Sequence, residues 1–171
     1  SARQAFATDL ATGLPNLPQL LEHINHLLAL REREPAPMAL LVLRVEGLAA
    51  AESRLGAESA NVLRRQLAQR LRAGLRASDV VAAIGGDVFA VLLAWIEAPE
   101  DGEQVAEKLA LAAQRPFNVA GHELALSVAL GVSQFPGHGR RADALLRQAL
   151  QQANVVGAKT PAAVGVLSAP A

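Results

Sequence analysis

The sequence predicts a single α+β domain, and three observations carry that prediction. Helical and strand-like segments alternate in the order α-β-α-β-β-α-β-α-β along 171 residues. Two β-branched apolar runs, Val80 to Ile84 and Val88 to Leu93, flank Gly85-Gly86-Asp87, which reads as a tight β-hairpin. A hairpin within that order rules out a purely parallel sheet. Met38 to Val45 is almost continuously apolar, as in a central strand covered on both faces.

Leu14-Pro15-Asn16 marks a turn, and Leu17 to Arg33 follows as a helix with Leu20, Leu21, Ile24, Leu27 and Leu28 on one side. Pro35 and Pro37 stop it. Ala49 to Arg76 reads as helix in two pieces divided near Gly56, the longer burying Val62, Leu63, Leu67, Leu71 and Leu75. Pro99 to Gln114 is a helix whose acidic first turn (Glu100, Asp101, Glu103) suits its dipole. Phe117 to Val119 and Glu123 to Gln134 read as another hairpin, turned at Ala120-Gly121. Ala142 to Val156 is the last helix and Ala163 to Leu167 a short final strand. Trp95 is expected to cap the hairpin end of the core.

Length suits one domain over 1–171, with 1–8 and 168–171 as linkers. Aromatic residues are 3 % of the chain against 51 % hydrophobic, so Leu, Val and Ala must fill the interior. Sixteen basic and sixteen acidic residues cancel, which gives no electrostatic reason to bind a nucleic-acid polymer or an anionic membrane. With no cysteine, disulfides and thiolate metal sites are excluded, and a reducing, cytoplasmic compartment is expected. The missing initiator Met and the ending Ser168-Ala169-Pro170-Ala171 read as a domain cut from a longer protein, whose full length is open to membrane anchoring.

Asp87 at a hairpin tip is held rigidly in the open, a place better suited to a cation or phosphate than to a core. Matching motifs lie on either side. Asp9-Leu10-Ala11-Thr12-Gly13-Leu14-Pro15-Asn16, Leu40 to Leu48, Gly85-Gly86-Asp87-Val88-Phe89, Ser127 to Pro136 and Ala144 to Ala153 together resemble the GGDEF family, the diguanylate cyclase domains that join two GTP molecules into cyclic di-GMP. The resemblance covers nearly the whole chain. It implies a palm-like fold with a central, mainly antiparallel sheet flanked by helices, shared with class III nucleotidyl cyclases.

Joining two GTPs requires a 3′-hydroxyl to attack an α-phosphorus while Mg²⁺ or Mn²⁺ stabilises the phosphates. Family members hold the metal through a first-strand pattern L-D-x-D-x-F-K and through the third and fourth positions of the hairpin signature. Here Arg44 replaces the first-strand metal aspartate, Val88 replaces the fourth-position glutamate, and Ala49 falls at the phosphate-side lysine; Asp87 is retained. Glu46, two residues from Arg44 on the same strand face, either neutralises Arg44 or stands in as a displaced ligand. The plainer expectation is a polar network of Arg44, Glu46 and Asp87 with no metal. In the base pocket, Glu52 and Asn61 occupy the positions where the family has an Asn and an Asp that grip guanine. Arg76-Ala77-Ser78-Asp79 fits the family's inhibitory R-x-x-D, whose Arg and Asp would bind a guanine edge of cyclic di-GMP, although Ala83 stands where a second arginine is common.

Three readings follow. The first is a catalytically inactive GGDEF-like regulatory or nucleotide-sensing module, coupled to flanking domains such as a phosphodiesterase (EAL) domain. The second is a weak cyclase using Glu46, Asp87 and a divalent cation. The third is a cyclic di-GMP or GTP receptor through Arg76 and Asp79. Homodimerisation, which catalysis on a two-fold symmetric product demands, is optional for an inactive domain. His23 and His26 are i,i+3 on a helix without an evident third ligand, and Gly137-His138-Gly139-Arg140-Arg141 is a glycine-rich turn before a helix that could cradle phosphate.

Overall fold

The computed structural model describes residues 8–159. Its helices are α1 (Leu17–Arg31), α2 (Leu48–Leu55), α3 (Ala57–Ala73), α4 (Glu100–Gln114) and α5 (Ala142–Lys159). Its strands are β1 (Met38–Glu46), β2 (Val80–Ala83), β3 (Val88–Leu93), β4 (Phe117–Val119), β5 (His122–Leu124) and β6 (Ser127–Phe135). The expected final strand, Ala163 to Leu167, and the linkers lie outside the described residues apart from Thr8, which bridges Pro15.

Four strands form an antiparallel sheet in the order β2-β3-β1-β6. β1 is central, and successive side chains point to opposite faces. Ala39, Leu41, Leu43 and Val45 pack with Leu48 of α2, Leu63, Leu67 and Leu71 of α3 and Ala106, Leu109 and Ala113 of α4. Met38, Leu40 and Val42 pack with Leu20, Ile24 and Leu27 of α1 and Leu145, Ala149 and Ala153 of α5. Two cores on the two faces explain why the run is apolar at every position from Met38 to Leu43. The result is an α/β sandwich with three helices on one side of the sheet and two on the other.

Capping fixes several boundaries. Asn16 accepts the Gln19 amide at the start of α1, with Pro18 in the first turn where its missing N–H costs nothing. Gly56, at φ 95°, separates α2 from α3. The turn between β4 and β5 has Ala120 at φ 51° and Gly121 at φ 79°, the left-handed pair that a two-residue hairpin requires.

Three expectations need correction. Glu123 to Gln134 is not one strand: β5 pairs with β4 in a separate two-stranded sheet, and the chain then crosses to the edge of the main sheet. Leu126 plugs the core at that crossing, so its burial outweighs continuous pairing. The β2–β3 hairpin is tight, as expected: the Ile84 amide donates to the Val88 carbonyl at 3.0 Å, and Gly85 and Val88 exchange amide-to-carbonyl bonds at 3.2 and 3.4 Å, with neither glycine left-handed. Asp87 also joins the sheet through its carbonyl, which accepts the Val45 amide at 2.8 Å. Val62 and Leu75 are half-buried, while Ala60 and Ala68 complete the buried face of α3. Leu75 lies beyond the helix end at Gly74 and so leaves the stripe. Trp95 does not cap the core; it is exposed, with the Arg31 guanidinium 3.5 Å from its ring centroid.

Edge strand β6 is held by α5. The Val132 amide donates to Gln152 Oε1 at 2.7 Å, and Ser133 Oγ donates to the Leu145 carbonyl at 2.7 Å. Between these contacts the backbones nearly touch: a Cβ on Gly131 would lie 2.1 Å from the Ala149 oxygen and 2.7 Å from the Ala153 nitrogen. Among the described residues no helix is long and apolar enough to cross a membrane.

Because the α5 backbone and the Gln152 Cβ oppose that Cβ, Gly131→Ala must push α5 off the sheet. A loss of about 2–3 kcal/mol or more in urea-induced unfolding is expected, at the upper end for overpacking. Gly86→Ala, where a Cβ would meet nothing within 4 Å, should change stability by less than ~1 kcal/mol.

Candidate functional site

Register places the site at the end of β1. Met38, Leu40 and Val42 are buried, and the same face continues outward through Arg44 and Glu46. Arg44 pairs across the strands with Val88 on β3 and with Ala129 on β6. Residues so paired have Cβ atoms about 5 Å apart, so acids at positions 44 and 88 would form one two-carboxylate site. Here the pair is a guanidinium and an isopropyl group.

Arg44 is already partnered. Its Nη2 lies 3.9 Å from Glu46 Oε1, and its Nη1 donates to Asn154 Oδ1 of α5 at 3.0 Å. The Arg44 and Glu46 side chains are 38 % and 47 % exposed, so solvent screens the pair. Asp87 points away from this group because it precedes Val88 in the ladder and so faces the other side of the sheet. It meets α3, where Arg64 Nη2 stands 3.8 Å from its Oδ1. The Arg64 Nε donates to the Gly86 carbonyl at 3.2 Å and Nη1 to Asn61 Oδ1 at 3.2 Å. The expected network of Arg44, Glu46 and Asp87 is therefore two networks on opposite faces.

Arg64 is the site residue that sequence reasoning missed. It ties Asn61, Gly86 and Asp87 together, and its i+3 spacing from Asn61 on a helix was the available clue. Glu52 lies exposed on α2, and its carboxylate has no hydrogen bond or ion pair among the described residues. Nothing joins it to Asn61. Beside the hairpin, a cavity of about 520 Å³ is lined by Asp9, Thr12, Arg64, Gly85, Gly86 and Phe89. Asp9 is committed to its own turn, accepting the Thr12 amide at 2.9 Å and the Thr12 hydroxyl at 2.6 Å. Pro15, at the end of that turn, accepts the Ala83 amide at 2.9 Å and so fastens the segment to β2.

Arg76 and Asp79 do not form a matched pair of ligand-facing groups. Asp79 is 6 % exposed, with Oδ2 accepting the Arg76 amide at 2.9 Å and Oδ1 the Ala94 amide at 3.3 Å. Its carboxylate closes the α3–β2 connection against the end of β3. The Arg76 side chain is exposed and borders a cavity of about 360 Å³ that Trp95, Asp101 and Gln104 also line.

These residues do not suit a divalent cation. A hard ion asks for several oxygen ligands, yet among the described residues no three His, Asp or Glu side chains gather, His23 and His26 included. Glu46 and Asp87, the two carboxylates weighed as metal ligands, each face an arginine instead.

The Diguanylate cyclase, GGDEF domain family model matches residues 6–159. The chain is 32 % identical over 132 residues to MucR of Pseudomonas aeruginosa, a bifunctional diguanylate cyclase/cyclic di-GMP phosphodiesterase, covering 77 % of this chain and 19 % of that protein. It is 31 % identical over 150 residues to the cyclic di-GMP phosphodiesterase NbdA of the same organism, covering 87 % and 19 %. The chain thus spans about a fifth of the length of these two relatives. The structure of an N-terminally truncated variant of TpbB (YfiN) from Pseudomonas aeruginosa, comprising only its GGDEF domain, superposes with a TM-score of 0.86 at 26 % identity, covering 92 % of each chain.

The unequal burial of Arg76 and Asp79 separates structure from ligand binding. Asp79→Ala strands the buried Ala94 amide and the part-buried Arg76 amide and should cost about 2–3 kcal/mol in chemical denaturation. Arg76→Ala, at an exposed side chain, should stay within about 0.5 kcal/mol of the parent.

Proposed function

The chain belongs to the GGDEF family of diguanylate cyclase domains, and from that premise we propose that it serves as a catalytically silent regulatory module in a cyclic di-GMP signalling protein. The observation that carries this reading is the cross-strand pair Arg44 and Val88, where the reaction needs two carboxylates side by side. A unit positive charge ~4 Å from a divalent ion opposes it by several kcal/mol even at an effective dielectric near 20. Partial exposure and Glu46 reduce that opposition but supply no second ligand in place of Val88. Nor is Asp87 free to move toward β1, since its backbone is in the ladder and its carboxylate faces Arg64.

What these residues do instead is structural. Arg44 links the end of β1 to α5 through Asn154, and Arg64 holds the hairpin tip against α3. Such a domain keeps the family's outer shape while leaving the triphosphate without its cation. No Mg²⁺ or Mn²⁺ is then required, homodimerisation is dispensable, and the output passes through flanking domains. An EAL-type phosphodiesterase neighbour is the arrangement we favour, because relatives that combine the two activities or carry phosphodiesterase activity are several times longer than this chain.

One further observation favours a receptor role beside this one. Arg76 is exposed on a cavity wall and has no side-chain partner among the described residues, so a guanine edge of cyclic di-GMP has a donor there. Since Asp79 is occupied by two amides, that site would work with Arg76 alone and bind weakly. The competing reading, a weak cyclase built on Glu46 and Asp87, rests on the exposure of those two carboxylates.

Incubation with GTP and Mg²⁺ or Mn²⁺ should give no cyclic di-GMP above a metal-free blank by chromatography. Turnover that Asp87→Ala abolishes would establish the cyclase instead. The double substitution Arg44→Asp with Val88→Glu should raise Mn²⁺ affinity by at least about tenfold in paramagnetic titration, since it removes a cation and adds two ligands. Calorimetry with cyclic di-GMP decides the receptor role: heat that Arg76→Ala removes supports it, and equal heat in both proteins excludes that site.

A further inference from the structure

The turn Gly137-His138-Gly139-Arg140-Arg141 plays no part in the functions above. It leads into the N-terminus of α5 beside a cavity of about 550 Å³ between α1 and α5. The cavity wall includes Arg31, Arg140 and Arg141, against two acids, Glu32 and Asp143. Asp143 is already engaged: Arg141 donates to it through Nε and Nη2, each at 3.1 Å, and Arg147 stands 3.8 Å away. The Arg141 hydrogen bond holds its carboxyl below the usual carboxylate range.

The other two arginines lack counter-ions. Arg140 is exposed and has no hydrogen bond or ion pair among the described residues. Arg31 is 2 % exposed; its Nε donates to the Ala36 carbonyl at 3.1 Å, its Nη2 to the Ala94 carbonyl, and Trp95 covers one face. Its Nη1 is buried and has no acceptor, and no carboxylate pairs with the group among the described residues. A buried cation in that condition is costly, which is why burial pushes its pKa down.

The helix end adds a third source of positive potential. Leu145 N bonds the Arg141 carbonyl at 3.0 Å and starts the helical ladder, and Ala144 N is taken by Asp143 Oδ1 at 2.9 Å. The amides of Ala142 and Asp143 are left without an acceptor among the described residues, at the positive end of an 18-residue helix. We propose that this cavity binds a phosphate-class oxyanion, held by Arg140 and the Ala142 and Asp143 amides, with Arg31 as the buried charge behind it. Such a ligand supplies the counter-charge that the fold does not provide.

Two-dimensional amide NMR on the 171-residue chain, in phosphate-free buffer, tests this with inorganic phosphate and with methyl phosphate as probes. Saturable shifts at Ala142 and Asp143 with either probe are expected, and comparison of the two tells the free ion from an esterified one. Arg140→Ala should weaken the binding about tenfold, as loss of one charge-assisted contact does. Absence of saturable shifts with both probes, equal affinity in Arg140→Ala, or the same shifts from sodium chloride at matched ionic strength would each overturn the proposal. Arg31 also joins Ala36 to Ala94, so Arg31→Met perturbs folding as well as charge; Arg140, exposed and unpartnered, carries the test.

Discussion

Everything in this domain is arranged around the burial of β1 on both faces and along both edges. It pairs with β3 and β6, and its alternate side chains seed two separate cores. A strand in that position must be apolar along its covered length, which is why its charged residues, Arg44 and Glu46, appear at the end where that face opens to solvent. The same alternation that builds the core therefore sets which face the candidate site occupies. Position 44 shares its face with position 88 across the ladder, while Asp87 is turned to the opposite side.

That geometry gives single residue changes large consequences. Two acids at 44 and 88 would be mutual neighbours, close enough to share one cation. A guanidinium at 44 instead looks for its own acceptors, and finds them in Glu46 and Asn154. Arg64, from a helix on the other face, serves Asp87, Gly86 and Asn61 in the same way. Both arginines thus convert positions associated with ligand chemistry into tethers between the sheet and a helix. Each contact is partly solvated and weak on its own. Each arginine places a positive charge beside a carboxylate.

Arginine has a similar tethering role elsewhere. Arg70 donates to the carbonyls of Ala112, Arg115 and Pro116 and stacks on Phe117, closing the end of α4 onto β4. Arg72 does likewise for the Arg76 and Asp79 carbonyls. With so few aromatics and no disulfide, loop carbonyls at helix ends are satisfied largely by guanidinium groups rather than by packing alone. Arg31 belongs to the same class but is left with an unused nitrogen.

The sequence by itself determined most of the elements and the antiparallel order implied by its hairpins, and it singled out Arg44, Asp87 and Val88 by residue identity. Those features depend on local periodicity, on turn chemistry and on residue identity at fixed spacing. Tertiary structure alone decided which charged groups meet. Arg64 reaches Asp87 across 23 positions, Arg44 reaches Asn154 across 110, and Asp79 meets the Ala94 amide across 15. The break at Ala125 was hidden for the same reason, since no glycine or proline marks it and only the burial of Leu126 enforces it. Partner choice for a long, flexible cation is a competition among distant acceptors, and the chain's linear order does not hold those distances.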